Sequence, residues 1–160
     1  MMQTIRRHGL AAMCFLLLAF SAVPSSRAQT FPTRPEQHDC ILDEASLIRA
    51  DDAQQIKTLC EAVLRDQKIP IIVVTPPSLT MYDATDIESY ARGLFDKWGI
   101  GSQTNNYGIL LLVSLGDRKA RIELGAGWGG TKDGTARMVM EDIIVPNFKK
   151  GDYSSEFCRV

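Results

Sequence analysis

Histidine is nearly missing: the chain holds two, His8 and His38. Only His38 lies beyond the N-terminal apolar run, in a proline-bearing stretch ahead of the first predicted strand. That scarcity removes Ser–His and Cys–His nucleophile pairs from the core. It also argues against zinc, which takes histidine and cysteine ligands at close spacing. Basic clusters are missing too. With a formal net charge of -1, nothing draws nucleic acid or another polyanion. No internal repeat or low-complexity tract occurs, and composition is otherwise that of a globular domain, 45% hydrophobic and 23% charged.

The one long apolar run, Leu10 to Val23, is too short to span a bilayer comfortably. It follows Arg6 and Arg7 and precedes Ser26-Arg27-Ala28, the pattern of a signal peptide over residues 1–28 with cleavage before Gln29. Cys14 lacks the small-residue context of a lipidated cysteine. The expectation is an exported protein, periplasmic or secreted. Cleavage would remove three arginines and no acid, leaving 15 basic against 19 acidic side chains, a net charge near -4. Mild acidity in an exported domain suits cation binding. Cys40, Cys60 and Cys158 remain, an odd number in a disulfide-permissive compartment. Cys60 falls on a predicted helix stripe, and a Cys40–Cys158 bridge between the domain ends is conceivable.

Residues 29–39, with Pro32 and Pro35, read as an extended linker, and residues 40–160 as one domain. Cys40-Ile41-Leu42 predicts a short strand. A helix follows from Ala50, with Asp51 and Asp52 in its first turn, where the macrodipole favours acids. Ile56, Leu59, Cys60, Val63 and Leu64 are expected to face the sheet. The run Ile69 to Thr75 lacks alternation, which predicts a strand buried on both faces. Thr85-Asp86-Ile87-Glu88 reads as a capping box. Ile87, Tyr90, Ala91, Leu94, Phe95 and Trp98 form the face of the helix it opens, and Gly99 and Gly101 end it.

Ile109 to Leu115 is a second buried run. Gly116-Asp117 turns into the alternating strand Ala120 to Leu124, predicting an antiparallel hairpin. Ala136, Val139, Met140, Ile143 and Ile144 predict a last helix, stopped by Pro146. Strand, helix, strand, helix, hairpin, helix describes an α/β domain with a mixed sheet of about four strands.

Gly125-Ala126-Gly127-Trp128-Gly129-Gly130 satisfies G-x-G-x-x-G between a strand and a helix. It follows the last strand rather than the first, and Asp133 would repel a pyrophosphate. No nucleotide cofactor is therefore expected. A hard cation fits better, because Ca2+ and Mg2+ take carboxylate, amide and backbone oxygens. Asp43 and Glu44 follow the first strand, Asn105 and Asn106 precede the third, and Asp133 follows the fourth. With the first and fourth strands parallel and the third antiparallel to both, these five oxygen-bearing residues would meet at one end of the sheet. Asp133 is also placed to cap its helix.

Several stretches in order resemble the TPM domain, the family of thylakoid-lumen acid-phosphatase-like proteins and their bacterial exported relatives. They are Leu42-Asp43-Glu44-Ala45, Ile72-Val73-Val74-Thr75, Trp98-Gly99-Ile100-Gly101, Asn105-Asn106, Arg121-Ile122-Glu123, Gly125 to Gly130, and Pro146 with Phe148 to Tyr153. The resemblance implies an αβα sandwich with helices on both faces of the sheet. It implies Ca2+ or Mg2+ bound near Asp43, Glu44, Asn106 and Asp133. It also implies an accessory role beside a membrane protein complex at the cell envelope. The alternative it carries is a metal-dependent acid phosphatase acting on phosphomonoesters, with Asp43 and Asp133 holding the catalytic ion. Two departures stand out. Gly129 replaces a glutamate common in the family's glycine-rich loop. Beyond Gly151-Asp152-Tyr153 the family usually adds a helix, so at Val160 the C-terminal helix is expected to be truncated.

Overall fold

Two helical crossovers set the direction of the sheet. The structure is a computed structural model that describes residues 28–36, 39–101 and 104–146. The predicted signal segment through Arg27, His38, Cys158 and the Gly151-Asp152-Tyr153 stretch lie outside the described residues. Strand β1 (Ile41–Leu42) leads through helix α1 (Ala50–Gln67) to β2 (Ile71–Val74), and β2 leads through α2 (Ile87–Trp98) to β3 (Ile109–Ser114). A helix between two strands returns the chain to the end where it started, so the strands it joins run parallel. β1 pairs parallel with β2, Ile41 beside Val73, and β2 pairs parallel with β3, Ile71 beside Ile109. The third strand is thus parallel to the first, not antiparallel as the convergence of all five candidate ligands required.

β4 (Lys119–Leu124) returns antiparallel to β3, forming the hairpin that Gly116-Asp117 predicts, with Ser114 opposite Lys119. Its connection spans Leu115 to Arg118, and Arg118 takes the left-handed backbone at φ 52°. The sheet order is β1-β2-β3-β4.

Alternation along the central strands separates two packed layers. Ile72, Val74, Leu110 and Leu112 face α2, whose Ile87, Tyr90, Ala91, Leu94, Phe95 and Trp98 are all buried as the stripe predicts. Val73, Leu111 and Val113 face the other way, toward Ile56 and Cys60 of α1 and toward Ile144. Helices therefore cover both sides of a mixed four-stranded sheet, an αβα sandwich. α2 is capped by Asp86 rather than Thr85: the Asp86 carboxylate accepts the Ser89 N–H at 2.8 Å. An aspartate one residue nearer the helix is the stronger acceptor for that donor.

α1 is narrower on its buried side than its composition suggests. Asp52, Ile56 and Cys60 are buried, whereas Leu59 and Leu64 are 50% and 44% exposed. At about 100° per residue, positions 59 and 64 lie on opposite flanks of the stripe running through 52, 56 and 60. The last helix is α3 (Asp133–Met138), continued as a wider π-helical segment over Val139–Ile144. Lys132, not Asp133, occupies the position before its first residue.

The extended segment ahead of β1 packs along α2 and the turn before it. The Thr30 N–H donates to the Tyr82 carbonyl at 3.0 Å, and Trp98 Nε1 donates to the Pro32 carbonyl at 3.1 Å. Phe31 stacks on Tyr90 with ring centroids 5.2 Å apart. It also lies where a Cβ on Gly93 would stand, 2.7 Å away.

Candidate functional site

The strand directions divide the five predicted ligands between two ends of the sheet. β3 has six residues, so at about 3.3 Å per residue the ends lie about 20 Å apart.

Asp43 and Glu44 stand at the carboxyl end of β1. Asp43 Oδ1 accepts the Leu47 N–H at 3.0 Å, and Oδ2 accepts the Ile48 N–H at 2.9 Å. The hydroxyl of fully buried Thr75, at the end of β2, donates to Oδ1 as well. These bonds turn the chain from β1 into the approach to α1, and Ser46 takes a left-handed φ of 53° within that turn. Glu44 accepts the hydroxyl proton of Tyr82. Burial, with that carboxylate beside it, pushes the Tyr82 phenol up. Tyr82 stacks on Tyr90 at 5.6 Å, and burial likewise raises Tyr90, whose hydroxyl has no hydrogen-bond partner among the described residues.

A third carboxylate at this end, Asp117, did not figure among the expected ligands. It accepts Ser114 Oγ at 2.6 Å, the Leu79 N–H at 2.7 Å and Ser78 Oγ at 3.1 Å. The hydrogen bond from Ser114, then that from Leu79, hold its carboxyl below the ordinary carboxylate range. The signal for it was the buried hydroxyl of Ser114 three residues earlier. Each of these three carboxylates is engaged by donors of the protein itself, which is what a structural acceptor does.

The opposite end carries Asn105, Asn106 and the loop after β4. The Gly127 N–H donates to the Asn106 carbonyl at 2.9 Å, and the Gly125 N–H to the Gly108 carbonyl at 3.0 Å. Trp128 Nε1 donates to the Tyr107 carbonyl at 3.0 Å, and the two rings meet edge-on at 5.3 Å. The backbones touch so closely that a Cβ on Gly127 would stand 1.9 Å from the Asn105 carbonyl oxygen. One on Gly125 would stand 2.1 Å from that of Asn106. Two glycines of the G-x-G-x-x-G pattern therefore have a packing cause within the fold. Asn106 itself is left-handed at φ 41°, a conformation asparagine tolerates better than most residues. Asn105 is exposed. α3 opens at Asp133, five residues past the anchored Trp128; the Asp133 side chain is not among those described.

Three of the predicted residues thus share one end and two the other, so Asp43 and Asp133 are not placed to hold a single ion. Among the described residues no three histidine, cysteine, aspartate or glutamate side chains cluster closely enough to bind a metal ion. A cation at the Asn105 end would draw on amide and backbone oxygens of the loop before β3. Among the described residues no helix is long and apolar enough to cross a membrane.

Comparison with known proteins agrees with this architecture. Residues 41–155 match the family model described as the TPM domain. Among solved structures, the N-terminal domain of a protein from P. gingivalis is 29% identical, with a TM-score of 0.66. The match covers 75% of this chain and 74% of that one. The N-terminal domain of the cg2496 protein from Corynebacterium glutamicum is 17% identical over 82% of this chain and 81% of that one. Its TM-score of 0.59 speaks for the fold alone. No curated protein matches the chain.

Proposed function

The chain belongs to the TPM domain family, and from that we propose that it is an exported accessory module that binds a divalent cation, Ca2+ or Mg2+, at the Asn105 end of its sheet. Its partner is a membrane protein complex of the cell envelope. The observation that carries this reading is the locked pair of loops. The bond from Gly127 to the Asn106 carbonyl fixes Asn105 and Asn106 against the segment that leads to Asp133. An oxygen-bearing loop held by that bond suits a hard cation. Export rests on the signal-like pattern of residues 1–28, and the membrane partner on family membership.

Ligand charge sets affinity for such ions, and one carboxylate corresponds to a weak extracellular-type site, with a Kd on the order of 10⁻⁴–10⁻³ M. At ten times Kd the ion adds about 1.4 kcal/mol to stability, a rise of about 5 °C in the unfolding midpoint for a domain of this size. Thermal unfolding of the mature domain in EDTA and in millimolar Ca2+ or Mg2+ tests this. The expected shift is lost in Asp133→Asn and kept in Asp43→Asn. An unchanged midpoint with both ions, or a shift that depends on Asp43, would sink the reading. Acid phosphatase activity, the alternative, required Asp43 and Asp133 on one ion, whereas β4 runs antiparallel to β1 and ends at the opposite edge of the sheet. Cation-dependent phosphate release from a phosphomonoester, abolished by Asp133→Asn, would restore it.

A further inference from the structure

Cys40 precedes β1 by one residue, and Cys60 lies on the sheet-facing stripe of α1. Both backbones are fixed by regular structure: the Cys40 carbonyl accepts the Val73 N–H at 2.8 Å, and Cys60 lies mid-helix. Their side chains pack in one apolar cluster, with Cys60 7% exposed and Cys40 partly exposed. They also line the same open cleft, between Pro70, Ile71 and Leu64. Cys40 packs against the cluster that contains Cys60, so the two side chains are neighbours between β1 and α1.

We propose that Cys40 and Cys60 are a modification site, oxidised to an intramolecular disulfide that staples β1 to α1. The pairing conceived from sequence, Cys40 with Cys158, is replaced by one whose members share a cluster and line one cleft. The pair also divides the two roles that thiol–disulfide exchange needs. A hydrogen bond with Cys60 holds Cys40 below the ordinary thiol range, against burial and the neighbouring charge of Asp39. That same bond and burial push Cys60 up. Cys40, partly exposed and the readier thiolate, is the attacking group.

Its thiolate attacks one sulfur of an external disulfide, of the glutathione or oxidoreductase class. A mixed disulfide forms and one external thiolate leaves. Cys60 then gives its proton to solvent and attacks the Cys40 sulfur. The Cys40–Cys60 bond forms as the mixed bond breaks, and the second external thiolate leaves. The protein loses two electrons and two protons, and the external disulfide ends as two thiols.

The staple has a purpose in the fold. β1 is two residues long and an edge strand, so few backbone bonds hold it. A bridge there closes a loop of about twenty residues and constrains the unfolded chain.

The experiment treats the reduced full chain with oxidised glutathione, alkylates the remaining thiols and maps the peptides by mass spectrometry. The expected product joins the Cys40 peptide to the Cys60 peptide, forms equally in Cys158→Ser, and loses on the order of 10 °C in unfolding midpoint on reduction with dithiothreitol. In Cys60→Ala that reduction-dependent drop disappears. A Cys40–Cys158 linkage, or Cys40 and Cys60 both left alkylated or glutathionylated, would overturn the proposal; the wild-type map decides even where a variant fails to fold. The outcome is independent of cation binding.

Discussion

The two ends of the sheet are built on opposite plans. At the carboxyl ends of β1 to β3, charged oxygens are abundant and each is engaged. Asp43 takes two backbone N–H groups and a hydroxyl, Asp117 one backbone N–H and two hydroxyls, and Glu44 the Tyr82 hydroxyl. At the other end, in the loops before β3 and after β4, backbone meets backbone, with Gly125 and Gly127 pressed on Asn105 and Asn106. A carboxylate at a strand end is therefore weak evidence for a ligand. What matters is whether its oxygens are already used by the fold.

The sharpest way to break this contrast is Gly127→Ala. A Cβ 1.9 Å from a backbone oxygen cannot be relieved by a side-chain rotation, and overpacking of this kind costs about 3 kcal/mol or more. Gly134→Ala is the matched control, since nothing lies within 4 Å of its Cβ position in α3. It is expected to stabilise by about 0.5–1 kcal/mol through the unfolded chain. Urea denaturation of the two variants measures both.

At the carboxylate end, Asp43→Ala strands two backbone donors and the Thr75 hydroxyl, at a cost of about 2–3 kcal/mol in the same urea assay. Thr75→Val removes one of those bonds and costs about 1 kcal/mol. A smaller, pH-dependent effect belongs to Asp117. Its folded pKa is depressed, so its contribution is full above the unfolded value of about 3.9 and is lost as pH falls through the folded value. Asp117→Asn is expected to lower stability at pH 7 and to flatten the decline below about pH 4. A decline as steep as wild type would show that Asp117 is not a source of the acid limb. The smallest effect is at the sheet's flank. Arg92 reaches Glu123 at 3.8 Å and is 67% exposed, so Arg92→Ala should change stability by no more than about 0.5 kcal/mol.

Element types were largely legible from the chain because burial writes itself into periodicity. The unbroken runs of β2 and β3 and the stripe of α2 give the core residues directly. Strand direction was not legible, because Asn105-Asn106 before a strand looks the same whichever way the strand runs. The crossover through α2 decides it, and applying that rule to Ile71–Val74 and Ile109–Ser114 would have separated Asp43 from Asn106. The docked segment escaped notice because Phe31 and Pro32 bind through one ring and one carbonyl, without periodicity. The nearness of Cys40 and Cys60 likewise depends on how α1 lies over β1, which twenty residues of sequence do not encode locally.

The most direct test of the two-ended account is a two-dimensional amide NMR titration of the domain with Ca2+ and with Mg2+. The account predicts saturable shifts confined to residues 104–108 and 125–134, with Asp43 to Ile48, Leu79 and Asp117 unmoved. Shifts centred on Asp43, Glu44 and Asp117 would contradict it and return the cation to the carboxylate end.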